Sequence, residues 1–179
     1  MEKWIAKREI YKGKIFSLRG GEVSLDNGDQ AVREYIHHPG GVAIVPVVDD
    51  QVILIQQFRI AIERELTELP AGLLEPGEEP VQCAARELEE ELGYRATELI
   101  PLASYFSSVG FTDERLHIYL ALQPEKTKLK RDPEERMREI FLPVDMIAEK
   151  LNARAFEDAK TIIGLREFLA HLERGKGTG

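Results

Sequence analysis

The 23 residues from Gly72 to Tyr94, GLLEPGEEPVQCAARELEEELGY, decide how this chain folds. They hold seven glutamates and one arginine, Arg86, and four of the glutamates (Glu87, Glu89, Glu90 and Glu91) crowd into five residues. Pro80 suits a first helical turn, where its missing N–H costs nothing. Gly93 is placed to end a helix in a left-handed conformation. Val81, Ala85, Leu88 and Leu92 recur at intervals of four, three and four, which predicts a helix over about Pro80–Leu92 that buries this stripe. Glu87, Glu90 and Glu91 then project from one side, next to the buried stripe. Like charges at this spacing repel by roughly 0.2–0.5 kcal/mol per pair, and partial burial makes uncompensated charge worse. A glutamate-rich helix is commonly just a solvated face. Here the cluster adjoins the core, so it needs positive charge, and Arg86 alone cannot neutralise three carboxylates. Hard divalent cations with oxygen ligands can.

Outward from the helix, the first half of the chain reads as strands. KIFSLRGGEVSL and QAVREYIHH flank Asp26–Asp29, DNGD, a strong hairpin signal. GGVAIVPVV and QVILIQQFR are rich in valine and isoleucine and meet at Asp49-Asp50, a second hairpin. ELPAGLLEPGEEP reads as a Gly/Pro-punctuated loop. After the helix, ELIPLASYF and RLHIYLALQ read as strands around the loop SSVGFTDE, PEKTKLKRDPEERM as a charged surface excursion, and REIFLP as a last strand. VDMIAEKLNA and DAKTIIGLREFLAHLER close the chain as helices, the second with Ile162, Leu165, Leu169 and Leu172 as its apolar face. No internal repeat is present. The pattern predicts an α+β fold, a mixed sheet with helices packed on it. Residues 1–38 form an N-terminal β extension, 39–174 the main domain and 175–179 a frayed tail. Two hairpin strands alone are marginal, so the extension needs a further partner.

At 179 residues one domain with a real core is expected. The formal charge of −8, from 24 basic and 32 acidic residues, argues against a nucleic-acid partner gripped by a basic surface. An acidic site can still reach phosphate through a metal. The single cysteine, Cys83, excludes an internal disulfide and a multi-cysteine zinc site. The N-terminus lacks an apolar signal core and no run reaches the ~18 apolar residues of a membrane span, so no membrane partner and a cytoplasmic location are the default expectations.

The spacing Gly72, five residues, Glu78, seven residues, Arg86-Glu87-Leu88, one residue, Glu90-Glu91, one residue, Gly93 resembles the Nudix box of the Nudix hydrolases, with Tyr94 replacing the usual final aliphatic residue. The resemblance implies a mixed sheet between helices, with the box as loop–helix–loop. It also implies metal-dependent hydrolysis of a nucleoside diphosphate linked to another group, by attack of water on phosphorus. By position, Glu87, Glu90 and Glu91 would be the metal-side carboxylates for two or three Mg²⁺ (or Mn²⁺) ions. Arg86 would orient them through a salt bridge, and Glu78 would support that arrangement.

The likeness extends beyond the box. ELPAGLLEPGE, SYFSSVGFTDERLHIYLA, REYIHHPGGVAIVPV and ILIQQFRI look like the ADP-ribose pyrophosphatase branch, with a weaker match in DAKTIIGL. That branch implies ADP-ribose as substrate, AMP and ribose 5-phosphate as products, the Ala71 carbonyl as a metal ligand, and Glu114 as the loop glutamate that handles the attacking water. It implies diphosphate contacts from Arg59 and Arg33 and a substrate pocket lined by Leu73 and Glu75. Guanidinium forks suit phosphate oxygens, though either arginine would also serve as an ordinary strand-edge residue. Relatives in the branch are homodimers in which the N-terminal sheet helps build the partner's site; Tyr11 and Phe16 would offer aromatic surface there or pack in a core. Two departures touch substrate identity: Val109 stands where the branch usually has proline, and Thr67 where it has a bulky aromatic residue. GDP-mannose or a UDP-sugar is the alternative substrate, and a non-catalytic nucleotide-sugar sensor the alternative of another class.

Overall fold

Consecutive residues with positive φ force a tight reversal, and Asp49 and Asp50 (φ 47° and 58°) supply it between the two most apolar strands. Around that hairpin the computed structural model describes residues 1–127 and 137–176. The strands are β1 (Lys3–Lys12), β2 (Ser17–Ser24), β3 (Gln30–His37), β4 (Gly41–Val48), β5 (Gln51–Arg59), β6 (Arg64–Glu68) and β7 (Ala71–Leu73). Helix α1 (Pro80–Leu92) follows, then β8 (Tyr94–Arg95), β9 (Ile100–Phe106), β10 (Arg115–Leu122), β11 (Glu125–Lys126), β12 (Arg138–Pro143), α2 (Ile147–Asn152) and α3 (Ala159–Lys176). The predicted hairpins, α1 and both closing helices are present. No helix among the described residues is long and apolar enough to cross a membrane.

The chain divides into two compact units, one made of Met1–Gly40 with Tyr105–Arg115, the other of Gly41–Ser104 with Leu116–Gly179. In the first unit, β1, β2 and β3 form an antiparallel sheet in that order. β1, which the sequence pattern missed, is the extra strand that the β2–β3 hairpin needs. Every residue of β1 is exposed, so no alternation of apolar and polar positions announces it. The Tyr105–Arg115 segment is stitched to the end of β3: Ile36 N–H donates to the Phe111 carbonyl (2.8 Å) and Asp113 N–H to the Ile36 carbonyl (3.2 Å).

In the second unit a mixed sheet runs β12-β5-β4-β10-β9, with β6 added to β5 and β7 to β4. β4 lies parallel to β10 and antiparallel to β5 and β7. Its residues from Gly41 to Val47 are all buried, as a strand covered on both faces must be. Val42 and Ile44 face Cys83, Ala84, Leu88 and Leu92 of α1. Alternation turns Ala43 and Val45 the other way. Ile118, the register partner of Ala43, meets Gly164 of α3. Helices therefore cover both faces of the sheet.

Four details differ from the sequence pattern. Val81 and Ala85 are exposed, and the buried face of α1 is Cys83, Ala84, Leu88, Glu91 and Leu92. The face is rotated toward Glu91 because the small Cys83 and Ala84 let the helix lie close on β4. In α3 the buried positions are Thr161, Gly164, Leu165 and Phe168, while Ile162, Leu169 and Leu172 are only half-buried. The stretch read as one loop before α1 contains β7 and the last residue of β6, strands too short to show a period. α3 continues through Lys176, two residues into the expected frayed tail. Residues 128–136, most of the charged excursion, and 177–179 lie outside the described residues.

Candidate active site

The loop before α1 is a turn closed from both ends. Glu78 N–H donates to the Glu75 carbonyl (3.0 Å), and Glu75 N–H donates to Glu78 Oε2 (3.0 Å). Glu79 then caps the helix through a reciprocal box with Gln82, and Pro80 occupies the first helical turn. At the far end Gly93, at φ 69°, donates its N–H to Glu89 and Leu88 carbonyls, the left-handed stop that the sequence predicts.

Arg86 is the hub. Its Nε and Nη2 grip Glu78 Oε1 (2.9 Å) and Oε2 (3.0 Å) as a fork. Its Nη1 reaches Glu87 Oε1 (2.6 Å) and Glu90 Oε2 (3.1 Å), and Nη2 also donates to the Leu73 carbonyl (3.1 Å). Charge-assisted, bidentate bonds of this kind fix geometry as well as charge. The Arg86 hydrogen bonds, followed by the backbone bond at Glu75, hold the Glu78 carboxyl down at about 2. The Arg86 guanidinium is raised in turn, first by Glu78. Beneath it the Cys83 thiol donates to the Leu73 carbonyl (3.3 Å), and burial pushes that thiol up to about 12. Cys83 is thus a packed, protonated neighbour of the hub.

The three glutamates differ in setting. Glu91 is buried, 6% exposed, and accepts the Ala71 N–H on Oε2 (2.9 Å). Glu87 is nearly buried and Glu90 is half-exposed, with side chains 12% and 57% accessible. Gly72 leaves room for this carboxylate: a Cβ on it would lie 1.8 Å from the Glu87 carboxyl carbon. The edge strand β7 and the acidic face of α1 therefore meet at Ala71-Gly72, with two carboxylates against its backbone. Leu73 and Glu75 follow directly, Leu73 with an exposed side chain and Glu75 in the turn.

Arg59, at the end of β5, is clamped by Glu68 through Nε–Oε1 (2.7 Å) and Nη2–Oε2 (2.9 Å). Glu68 is 2% exposed and also bonds Lys160. Burial pushes the Glu68 carboxyl up, but the bonds from Arg59 and Lys160 outweigh it and leave it below the usual range. Lys160 pairs with Asp158 (3.0 Å), and Thr161 Oγ1 accepts the Leu69 N–H (2.8 Å). ELPAG and DAKT are thus two halves of one buried polar joint between β6 and α3. Their spacing of about ninety residues hides this from any local reading.

Arg33 and Glu114 belong to the first unit. Arg33 is exposed and forked onto Glu2 (2.6 and 3.0 Å). Glu114 donates its N–H to Thr112 Oγ1 (3.1 Å), and its carbonyl accepts the Ser107 N–H (3.1 Å). Its carboxylate lies 3.4 Å from His38 Nδ1. Beside it, Asp113 takes the His38 N–H (2.9 Å) and the His37 ring (2.7 Å). Burial pushes Asp113 up, and the bonds from His37 and then His38 bring it below its ordinary value. These histidines belong to no spacing motif in the sequence; their adjacency in IHHPG is the available signal.

Comparison with known proteins follows the same lines. The family model of the NUDIX domain matches residues 37–163. The chain belongs to the Nudix family. Among similar proteins is the ADP-ribose pyrophosphatase of Bacillus subtilis (strain 168), 39% identical over 168 residues that span 92% of this chain and 91% of that protein. Another is the methanol dehydrogenase activator of Bacillus methanolicus, 35% identical over 178 residues, 95% of this chain and 96% of that one. The crystal structure of an ADP compounds hydrolase has the same fold, with a TM-score of 0.85 at 24% identity, covering 99% of this chain and 96% of that chain.

The donor chemistry of the Nudix segment suits a hard divalent cation: carboxylates of Glu87, Glu90 and Glu91 beside a backbone strand, with no thiolate or imidazole among them. Among the described residues no three acidic, histidine or cysteine side chains already form a closed metal cage. Arg86 and the Ala71 amide hold individual carboxylate oxygens instead. Each carboxylate carries two oxygens with about four acceptor sites.

Proposed function

We propose that this Nudix hydrolase cleaves ADP-ribose to AMP and ribose 5-phosphate. The observation that carries the reading is the gathering of Glu78, Glu87 and Glu90 by one arginine while Glu91 is seated on the Ala71 amide. The resemblance of the flanking motifs to the ADP-ribose branch, and the 39% identity to an ADP-ribose pyrophosphatase, support that substrate.

Glu87, Glu90, Glu91 and the Ala71 carbonyl would hold two to three Mg²⁺ (or Mn²⁺) ions. Bound Mg²⁺ offsets the charge of the diphosphate, lowers the pKa of water and stabilises the leaving oxygen. Arg86 keeps the carboxylates in place, and Glu78 keeps Arg86 in place. Arg59, fixed by Glu68, and Arg33 contact phosphate oxygens, while Leu73 and Glu75 border the sugar–nucleotide pocket. Glu114 takes a proton from the attacking water; a new P–O bond forms as the bridging P–O bond breaks. The N-terminal extension, residues 1–38, serves as the dimerisation element. Trp4, Tyr11 and Phe16 are exposed there, and such aromatic surface is typical of an interface.

Val109, 78% exposed at the tip of the Glu114 loop, lacks the φ restraint of proline and favours a second reading, turnover of GDP-mannose or a UDP-sugar. The test is release of monophosphate from ADP-ribose, GDP-mannose and UDP-glucose with Mg²⁺. Fastest turnover of ADP-ribose is expected. Preference for another sugar overturns the substrate, and tight binding without turnover makes the chain a sensor.

A further inference from the structure

His38 Nδ1 faces the carboxylate of Glu114. Its side chain is only 11% accessible, against 27% for Glu114. Gly40 N–H donates to His38 Nδ1 (3.1 Å), so that nitrogen is an acceptor and the proton of the neutral ring belongs on Nε2. Glu114 Oε1 lies 3.4 Å from the same Nδ1. Two acceptors at that separation attract only when a proton lies between them. The Glu114 carboxyl provides that proton once it has accepted one from water.

The surrounding chain fixes both partners. Asp113 accepts the His38 N–H and the His37 ring. The neighbouring backbone is bonded to β3 through Ile36. Thr112 Oγ1 holds the Glu114 amide. Loop residues ordinarily sample many rotamers, and a misplaced base loses much of its effect. His38 Nδ1 faces this one on the side of Oε1.

Resting on the reading of Glu114 as the group that takes the water proton, we propose that His38 is the positioning residue for Glu114. It accepts a hydrogen bond from the Glu114 carboxyl after proton transfer and so holds the protonated group in place. Balance is simple: the water O–H bond breaks, its proton moves to Glu114 Oε1 facing Nδ1, and the oxygen forms the new bond to phosphorus.

The experiment is a double-mutant cycle on ADP-ribose hydrolysis with His38→Ala, Glu114→Gln and the double variant. His38→Ala is expected to lower kcat by about tenfold or more, with KM within about threefold. The double variant should be no slower than Glu114→Gln alone. His38→Asn, whose amide oxygen can still accept the Gly40 N–H, should recover part of kcat and keeps the test valid if the alanine variant folds poorly. Losses that multiply in the double variant, or wild-type kcat in both His38 variants, overturn the proposal while leaving Glu114 in its role. Wild-type kcat in Glu114→Gln overturns the role of Glu114, and this proposal with it.

Discussion

Gly72→Ala adds one methyl group at the point where β7 meets the acidic face of α1. The new Cβ would stand 1.8 Å from the carboxyl carbon of Glu87 and 1.9 Å from its Oε1, whereas ordinary contact begins near 3.4 Å. The carboxylate must therefore retreat by more than an ångström, out of its 2.6 Å bond with Arg86. The atoms that meet the new Cβ are the far end of a flexible side chain, so the fold should survive. Losing one hydrogen bond to a charged group destabilises by about 1.5–3 kcal/mol. Catalysis is less forgiving, because a displacement of about 1 Å costs on the order of 100-fold in rate, equivalent to about 2.7 kcal/mol in the barrier. The assay is steady-state release of AMP from ADP-ribose across a Mg²⁺ titration, with a thermal melt on the same samples. A folded variant with kcat reduced about 100-fold and a higher Mg²⁺ requirement is expected. Wild-type kcat at wild-type Mg²⁺ dependence would refute the placement of Glu87 in the metal site.

Glu114→Gln should lower kcat by about 10²–10⁴-fold with a smaller change in KM, measured by steady-state kinetics, if the residue handles the water proton; a pure KM effect reassigns it to substrate positioning. Glu68→Ala leaves Arg59 and Lys160 facing a buried hole and should destabilise by about 3–5 kcal/mol, read by urea unfolding. An unchanged midpoint contradicts the joint between β6 and α3. Glu78 has a folded pKa of about 2, below its ordinary 4.5. It therefore contributes stability above pH 4.5 that is lost as pH falls toward 2. The urea-midpoint gap between wild type and Glu78→Gln should shrink across that window; a gap independent of pH counts against the Arg86 fork.

The site was legible where spacing carries chemistry. Gly72, Glu78, Arg86, Glu87, Glu90 and Glu91 sit on one loop and one helix, and local periodicity brings such residues together without knowledge of the tertiary fold. Even there the helix phase was wrong: Val81 looks apolar enough to be buried, yet Cys83 and Ala84 take the contact because small side chains allow the closest approach to β4. What escaped was nonlocal. Glu68 and Lys160 meet across the chain, and His38 meets Glu114, and no repeat interval predicts either pair. β1 escaped for another reason. Its residues are all exposed, so no buried face marks the strand in the sequence.

The most direct measurement is ADP-ribose turnover as free Mg²⁺ is varied from chelated to millimolar, for wild type and Glu90→Gln. Because Glu90 is exposed, this substitution should leave the fold intact while removing one ligand charge and one local repulsion. No turnover of wild type without free metal, recovery on adding Mg²⁺, and a right-shifted and depressed curve for Glu90→Gln are predicted. Equal hydrolysis by both proteins with all divalent metal chelated would contradict the account.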